Sequence, residues 1–267
     1  MSLSRILAVA NQKGGVGKTT TVVSVATNVA LSGYRTLLID LDPQGNATTG
    51  LGVNPRNLES SSYNVLVQQL PISAARVQTV VDGLDLVPAT LDLAGAEVEL
   101  VPMFSRELRL RSAISLVSSE YDYIFIDCPP SLGMLTVNSL AAATEVIVPL
   151  QCEYYALEGL GQLLNNVGLV QDSLNADLKV SSIVLVMFDA RTRLAEQVAA
   201  EVREHFGDLV LQTVVPRSVR LSEAPSYGKP VELYDPSSTG ASAYREVTKE
   251  IIGQQVRDPD ILSERSR

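Results

Sequence analysis

The ten residues Asn11-Gln-Lys-Gly-Gly-Val-Gly-Lys-Thr-Thr20 decide the fold of this chain. They follow an apolar run, Arg5 to Ala10, that is rich in strand formers, and they lead into Thr19 to Leu31, where apolar residues recur at helical spacing. Glycines between a strand and a helix let the backbone approach an anion closely, and the unpaired N–H groups of the helix start face that anion. The stretch therefore predicts a phosphate-binding loop.

The loop departs at one position from the pattern G-x-x-x-x-G-K-[ST] of most nucleotide-binding loops. Counting back from Gly17-Lys18-Thr19, the first glycine should stand where the chain has Gln12. The remaining glycines still supply the backbone freedom, so we expect phosphate binding. Lys18 is expected to bridge the β- and γ-phosphates, the Thr19 hydroxyl to ligate Mg²⁺, and Thr20 to bond the α-phosphate. The alternative is a Gly-rich turn that binds nothing, and the strand-loop-helix context argues against it.

The rest of the chain alternates apolar strand-like runs with helical stretches, which is typical of a parallel sheet covered by helices. We predict one α/β domain at 1–253, a P-loop NTPase with a single doubly wound, mostly parallel sheet and helices on both faces. A charged, frayed tail is expected at 254–267, and a loop at 44–57. The predicted strands are 5–10, 35–41, 84–88, 122–126, 145–150, 180–188 and 210–215. The predicted helices are 19–31, 63–70, 92–119 with a break at Pro102, 133–143, 155–174, 193–206 and 239–253.

Composition narrows the class of protein. Apolar residues make up 46% of the 267, enough for a large core, and the formal net charge is -9. An acidic chain can bind nucleic acid only through a local basic patch. Cys128 and Cys152 form no C-x-x-C pair, and no apolar run approaches the roughly 20 residues of a membrane span. With no secretory signal, these features predict a cytoplasmic protein with no membrane contact.

Three aspartates are expected at the edge of the sheet beside the loop. Asp40 and Asp42 close the second strand two residues apart, and Asp127 ends the apolar run Tyr-Ile-Phe-Ile. A single aspartate at a strand end is more often a turn former, but three after these strands indicate a metal and water site. We expect Asp40 to join Thr19 at Mg²⁺, Asp127 to hold a Mg²⁺-bound water, and Asp42 to position the attacking water.

Two loops next to these aspartates are expected to respond to the γ-phosphate. Asp42 with Pro43-Gln-Gly45 is interpreted as switch I. Pro129-Pro-Ser-Leu-Gly133 is interpreted as switch II.

Several segments together resemble one family. K-G-G-V-G-K-T-T is similar to the deviant Walker A box, and with the other segments it resembles the ParA/Soj partitioning ATPases of the ParA/MinD superfamily. The resemblance runs from about residue 5 to 253, and the stretch 216–230 narrows it to ParA/Soj. The matching segments are 13–20, D-L-D-P-Q-G-N at 40–46, I-D-C-P-P-S-L-G at 126–133, M-F-D-A-R-T-R-L-A at 187–195 and V-P-R-S-V-R-L-S-E-A-P-S-Y-G-K-P at 215–230.

The resemblance implies a role for the first lysine of the loop. In this family two subunits sandwich two ATP molecules, and the signature lysine, here Lys13, reaches the partner's nucleotide. A solvated loop lysine is the alternative for Lys13. The resemblance thus implies Lys13, Lys18 and Asp42 as catalytic residues. The implied ATP ligands, which include two residues near the adenine, are Lys13, Gly14, Gly15, Val16, Gly17, Lys18, Thr19, Thr20, Pro216 and Arg217.

The resemblance also implies that the ATP-dependent homodimer binds double-stranded DNA without sequence preference. Basic side chains would neutralise phosphates in a salt-sensitive manner. Scattered arginines that merely solvate an acidic protein are the alternative. Arg193 and Lys229 are weaker candidates than Arg191 and Arg220. The expected DNA contacts are Arg191, Arg217, Arg220 and Lys229.

The function implied is a weak Mg²⁺-dependent ATPase that partitions a chromosome or plasmid. A ParB-type centromere-binding protein would stimulate hydrolysis and release a nucleoid-associated dimer from DNA. A MinD-like spatial regulator is one alternative, but it needs a C-terminal amphipathic helix, and residues 254–267 contain a proline and alternating charges. A nucleotide-gated scaffold with negligible turnover is another, and the intact Lys18, Asp42 and Asp127 favour turnover instead.

Overall fold

The computed structural model describes residues 4–253 of the chain. These residues form one seven-stranded sheet with the strand order β3-β4-β2-β5-β1-β6-β7. Neighbouring strands are parallel except for β3, which runs antiparallel to β4 at one edge. The strands are β1 Arg5–Val9, β2 Thr36–Asp40, β3 Val77–Gln78, β4 Leu84–Val87, β5 Tyr123–Asp127, β6 Glu145–Gln151 and β7 Lys179–Val186.

Helices follow most of the strands and cover the sheet. Short 3₁₀ turns occur at Pro55–Asn57, Arg106–Leu108, Ser118–Glu120, Gly207–Leu209 and Ala224–Tyr227. The α-helices are α1 Lys18–Leu31, α2 Asn46–Gly50, α3 Ser62–Gln68, α4 Ile72–Ala75, α5 Leu93–Glu99, α6 Arg109–Ser115, α7 Met134–Ala142, α8 Ala156–Ser173, α9 Arg193–Phe206, α10 Val219–Glu223, α11 Val231–Tyr234 and α12 Thr239–Ile252. No helix within residues 4–253 is long and apolar enough to span a bilayer.

Two apolar cores lie on opposite faces of the sheet. Alternate residues of one strand enter different cores: Leu7 and Val9 of β1 pack with α1 and α12, whereas Ala8 packs on the side of α5 to α9. Because side chains alternate across a strand, burial on both sides explains why the strand sequences show no polar alternation. The prediction of a doubly wound sheet with helices on both faces is confirmed.

The topology places a ligand cleft at the end of β1. The chain leaves β1 towards β2 on one side and reaches β6 on the other, so the direction of the connections reverses there. Ligands of open α/β sheets bind at such a point, beyond the carboxyl ends of the strands.

The predicted strand at 210–215 is wrong. Within the segment, Val210 forms an isolated bridge to Ile183 of β7, and a second isolated bridge joins Phe188 to Pro216 just beyond both segments. Side chains take over its backbone groups: the Arg203 guanidinium donates to the carbonyls of residues 211 and 212, and the Glu250 carboxylate accepts from the N–H groups of residues 212 and 213. The N–H groups of Leu211 and Val215 still donate to carbonyls of β7, but the side-chain contacts between them interrupt a continuous ladder.

Two further expectations need correction. The predicted loop at 44–57 contains α2 and a 3₁₀ turn, because the Asp40 carboxylate accepts hydrogen bonds from the backbone and hydroxyl of Thr48 and holds that turn in place. The antiparallel edge strand β3 was not expected. The long helical stretch is broken near Pro102 as predicted, into α5 and α6. The expected tail at 254–267 lies outside the described residues.

Candidate nucleotide-binding site

Hydrogen bonds fix the Gly-rich loop on the side of the sheet, and its other side faces the open cleft. The Asn11 amide donates to the Pro149 carbonyl at 2.7 Å, and its oxygen accepts from the Lys13 N–H at 3.0 Å. Gly15 and Gly17 have φ of 74° and 78°, the left-handed region that glycine adopts without strain. Gly17 caps α1 with no side-chain hydrogen bond, so the first N–H groups of the helix remain available to an anion.

Lys18 is buried at the floor of this cleft. Its ammonium donates to the Lys13 carbonyl at 3.1 Å. Burial lowers the pKa of Lys18, and the nearby Asp127, Cys128 and Asp42 offset this only in part. A partly desolvated cation at a helix N-terminus favours a polyanionic ligand, because a phosphate restores the solvation that the fold removed.

Asp40 is fully buried, and both of its carboxylate oxygens accept hydrogen bonds from the protein. One carboxylate oxygen accepts from the Asp42 N–H at 3.1 Å, and the other accepts from the Thr48 N–H at 2.9 Å and the Thr48 hydroxyl at 2.7 Å. Burial raises the pKa of Asp40 to about 6, and these hydrogen bonds limit the rise. Asp40 therefore fixes the path of switch I, a role that its position in the sequence did not reveal.

Asp127 stands beside Asp40 in the register of β2 and β5, and its surroundings differ. Neither carboxylate oxygen has a hydrogen-bond partner of normal geometry within residues 4–253. Burial, followed by the neighbouring Asp40, raises the pKa of Asp127 well above its usual range, and Thr19 and Lys18 counteract this only weakly. A buried acidic group without partners fits a ligand that is not part of the chain, such as a hydrated cation.

The few oxygen donors at the cleft suit Mg²⁺, which is shared with nucleotide phosphates and water, and do not form a metal site made of protein side chains alone. Within residues 4–253 no group of three His, Cys, Asp or Glu side chains is arranged to hold a metal. Mg²⁺ characteristically takes one or two protein ligands, keeps several waters and binds nucleotide phosphates. Thr19 lines the cleft, whereas Asp40 and Asp127 lie beneath its surface.

A cavity of about 580 Å³ extends from the loop to the segment around Pro216 and Arg217. Backbone hydrogen bonds to Phe188, two residues beyond the end of β7, position that segment: the Phe188 N–H donates to the Val215 carbonyl, and the Arg217 N–H donates to the Phe188 carbonyl. Asp42 also lines the cavity, and its carboxylate accepts from the Gln44 N–H at 2.9 Å. Of the ten expected ATP ligands, eight line the cavity; the exceptions are Lys13 and Val16.

Lys13 points to another neighbour. Its ammonium forms an ion pair with Glu153, which follows the end of β6, and both side chains are half exposed. Sequence reasoning missed Glu153. The same pattern that identified Asp40 and Asp127 could have found it, because Glu153 is also a carboxylate just after a predicted parallel strand. The structure thus holds Lys13 outside the cavity formed by its own chain.

The structure separates the basic residues expected to bind DNA. Arg191 pairs with Asp189 at 2.7 Å, and Arg220 pairs with Glu223 at 2.8 Å and with Asp235. Arg217 and Lys229 line the nucleotide cavity instead of a separate patch.

Sequence reasoning also missed Glu97. Its carboxylate accepts from the N–H of Met134 at 2.6 Å and of Leu135 at 3.3 Å, at the start of α7 and directly after switch II. No local motif marks this contact, which joins residues that are 37 positions apart or more.

Proteins of similar sequence include ATPases, which agrees with a nucleotide-binding role for the cleft. A family model described as an AAA domain matches residues 4–180. The chain is 55% identical to the sporulation initiation inhibitor protein Soj of Bacillus subtilis (strain 168), covering 93% of this chain and 98% of the relative. It is 52% identical to the chromosome partitioning protein ParA of Myxococcus xanthus (strain DK1622), covering 94% and 89%.

A solved structure is similar over nearly the whole fold. It is cobyrinic acid a,c-diamide synthase from Mycobacterium smegmatis with bound ADP and magnesium, at a TM-score of 0.81 and 43% identity, covering 92% of this chain and 93% of that one. The sequence relatives and the fold lead to the same conclusion. The chain belongs to the ParA/Soj family of chromosome-partitioning ATPases.

Proposed function

We propose that this protein is a Mg²⁺-dependent ATPase that uses ATP binding and hydrolysis to switch a DNA-bound homodimer on and off. The ATP-bound dimer coats nucleoid DNA without sequence preference, and a ParB-type partner stimulates hydrolysis and releases it. Relatives named for chromosome partitioning support the partitioning role on which this cycle rests. One observation supports nucleotide binding above all. Buried Lys18 and the uncapped start of α1 face an open cavity, and the carboxylate of Asp127 beside it has no hydrogen-bond partner of normal geometry in the described chain.

Each cleft residue has a place in the proposed reaction. Lys18 and the N–H groups of 14–20 bind and orient the phosphates, which is the larger part of phosphoryl-transfer catalysis. Asp42 lies in the cavity wall where it can orient the attacking water. Thr19 and Asp127 would hold Mg²⁺ and its water, and Asp40 would support them from beneath. When bound, the metal neutralises charge on the phosphate oxygens.

The ion pair between Lys13 and Glu153 supports a role for Lys13 between subunits. The pair is half exposed, so exchanging Glu153 for a partner's phosphates costs little. Without nucleotide, each Lys13 stays paired with Glu153 of its own chain, and no phosphate is present to draw it to a second subunit. Dimerisation therefore depends on ATP.

DNA binding requires that acidic partners release the basic side chains. Arg220 has two carboxylate partners in the described chain, and Arg191 has one. Because these pairs are solvent-exposed, a DNA phosphate can replace the carboxylates at small cost, and two copies double the basic surface.

The test is sedimentation of Asp42→Ala with DNA, in ATP and in ADP. We expect an ATP-locked dimer on DNA in ATP and a free monomer in ADP. Arg220→Glu should keep the ATP-dependent dimer and lose DNA, whereas Lys18→Ala should lose nucleotide binding or hydrolysis. A monomer in ATP that binds DNA equally well in both nucleotides would contradict the proposal.

A scaffold with negligible turnover is the second candidate, and the observation that favours it is that the Asp42 carboxylate, proposed to orient water, is already engaged by the Gln44 N–H. Single-turnover phosphate release, with and without DNA and partner, distinguishes the two. Release that stays at background under all conditions would favour the scaffold.

A further inference from the structure

An apolar surface on the outward side of α5 has no partner within residues 4–253. The members from 91 to 101 recur at intervals of three, four and three residues, the spacing of one helix face, and the last member follows three residues later in the turn after the helix. Backbone hydrogen bonds from residue 94 to 91 and from 101 to 98 continue the helical path beyond both ends of α5. We call this the α5 surface, and its members are Leu91, Ala94, Val98, Val101 and Phe104.

The members of the α5 surface are exposed although the same helix has a separate core face. Val98 is 74% and Phe104 is 96% exposed, while Leu93, Ala96 and Leu100 on the other side pack in the core. A phenylalanine gains most of its stabilisation from burial, so one that is almost wholly in solvent contributes little to folding. Contiguous exposed apolar residues mark interaction sites.

The negative charge around the α5 surface indicates which kind of partner can bind there. Residues 91–107 contain four carboxylates and one arginine, and Arg106 is already paired with Glu107. An anionic membrane or a nucleic acid would be repelled. A second copy would bring the same acidic rim against itself. A segment with apolar and cationic side chains complements both the surface and its rim.

The α5 surface is tied directly to switch II. Glu97, on the same helix, accepts from the first N–H groups of α7, where a carboxylate also complements the helix dipole. A Cβ atom added to Gly133 would lie 2.2 Å from a Glu97 oxygen, so the end of switch II packs directly on this side chain. Movement of α5 therefore moves Glu97 and the loop that follows Asp127.

We propose that the α5 surface is the docking site for a cationic, amphipathic segment of a partner protein, and that Glu97 transmits docking to switch II. The docking site stands on the geometry alone. The consequence for hydrolysis rests on the ATPase function proposed above.

Docking is tested with a fluorescein-labelled, tryptophan-free amphipathic peptide of leucine and lysine, about 18 residues or five turns long. Its anisotropy is measured against the full chain in ADP. We expect binding that weakens with salt, and a loss of about tenfold or more in Val98→Asp and Phe104→Asp. Leu169→Asp is the matched control, because Leu169 is 65% exposed on α8, and it should bind like the parent. A peptide with glutamate in place of lysine should not bind.

Two outcomes would overturn the docking site. One is no binding, or binding that Phe104→Asp and Leu169→Asp reduce equally. The other is a nucleotide-free dimer that Phe104→Asp dissociates in sedimentation, because the surface would then hold a second copy.

Transmission is tested with Leu132→Trp, since the chain has no tryptophan of its own and the new fluorophore reports switch II alone. Saturating peptide should shift its emission. Adding Glu97→Gln removes one of the four carboxylates, so the comparison is made at saturating peptide, where the emission shift should be reduced. An unchanged emission at saturation would refute the transmission step. Failure of the Asp42→Ala sedimentation test, with peptide binding intact, would refute the ATPase cycle and leave the docking site standing.

Discussion

Asp40 and Asp127 are the same residue type at paired positions of neighbouring strands, yet their hydrogen-bonding surroundings differ. The register of β2 and β5 pairs them, and both are fully buried. Three donors from residues 42 and 48 satisfy Asp40, whereas Asp127 has no hydrogen-bond partner of normal geometry in the described chain. The carboxylate on the switch I side therefore stabilises a loop, whereas the one on the switch II side has no such structural role in the described chain.

The largest expected effect is on the satisfied carboxylate. Asp40→Ala leaves the N–H groups of Asp42 and Thr48 and a buried hydroxyl without an acceptor. Each lost hydrogen bond to a charged group costs about 1.5–3 kcal/mol, and removal of the desolvated carboxylate offsets part of the sum, so we expect a loss of about 3–5 kcal/mol in the free energy of unfolding. Urea unfolding without nucleotide measures it. A loss below about 1 kcal/mol would mean that Asp40 does not hold switch I.

Glu232 is an intermediate case, because Asn28 donates to one oxygen at 3.1 Å and the other is unpaired. Burial raises the pKa of Glu232 to about 8. The folded state thus retains a proton that the unfolded state releases above its lower pKa of about 4.3, so stability is fully present below that pH and is lost as the pH rises towards 8.

The corresponding variant is Glu232→Gln, a neutral group of the same shape. Between pH 5 and 9 the parent should lose on the order of 2–4 kcal/mol more stability than this variant. Urea unfolding at several pH values tests this. Parallel pH profiles for the two proteins would show that Glu232 does not carry a proton in the fold.

Asp127→Asn should change stability little, since no hydrogen bond of normal geometry is lost and a buried acidic group is replaced by a neutral amide of the same shape. We expect a change within about 1 kcal/mol, towards greater stability, in the absence of nucleotide. Phosphate release should nevertheless fall to background. A destabilisation as large as that of Asp40→Ala would erase the contrast between the two carboxylates.

Glu153→Gln extends the comparison to a half-exposed carboxylate at the end of β6. Its ion pair with Lys13 lies in solvent, so the free energy of unfolding should change by less than about 0.5 kcal/mol. Thermal unfolding in low and high salt measures it, with Glu158→Gln on α8 as the control. A larger effect would show that the Gly-rich loop depends on this pair.

The sequence predicted the phosphate loop, the parallel sheet and the three aspartates because each is encoded locally. It did not distinguish Asp40 from Asp127, since both end apolar strands in the same way. It also placed a strand at 210–215, where Arg203 and Glu250 satisfy the backbone instead.

What the sequence determined by itself is the set of chemical groups and their place at strand ends, because strand, glycine turn and helix start are properties of neighbouring residues. Tertiary structure alone decided their partners: Thr48 for Asp40, Glu153 for Lys13 and Glu97 for the start of α7. The physical reason is that a hydrogen bond or ion pair depends on distance in space. Here the order of strands and the loops between them set those distances over separations of up to 140 residues.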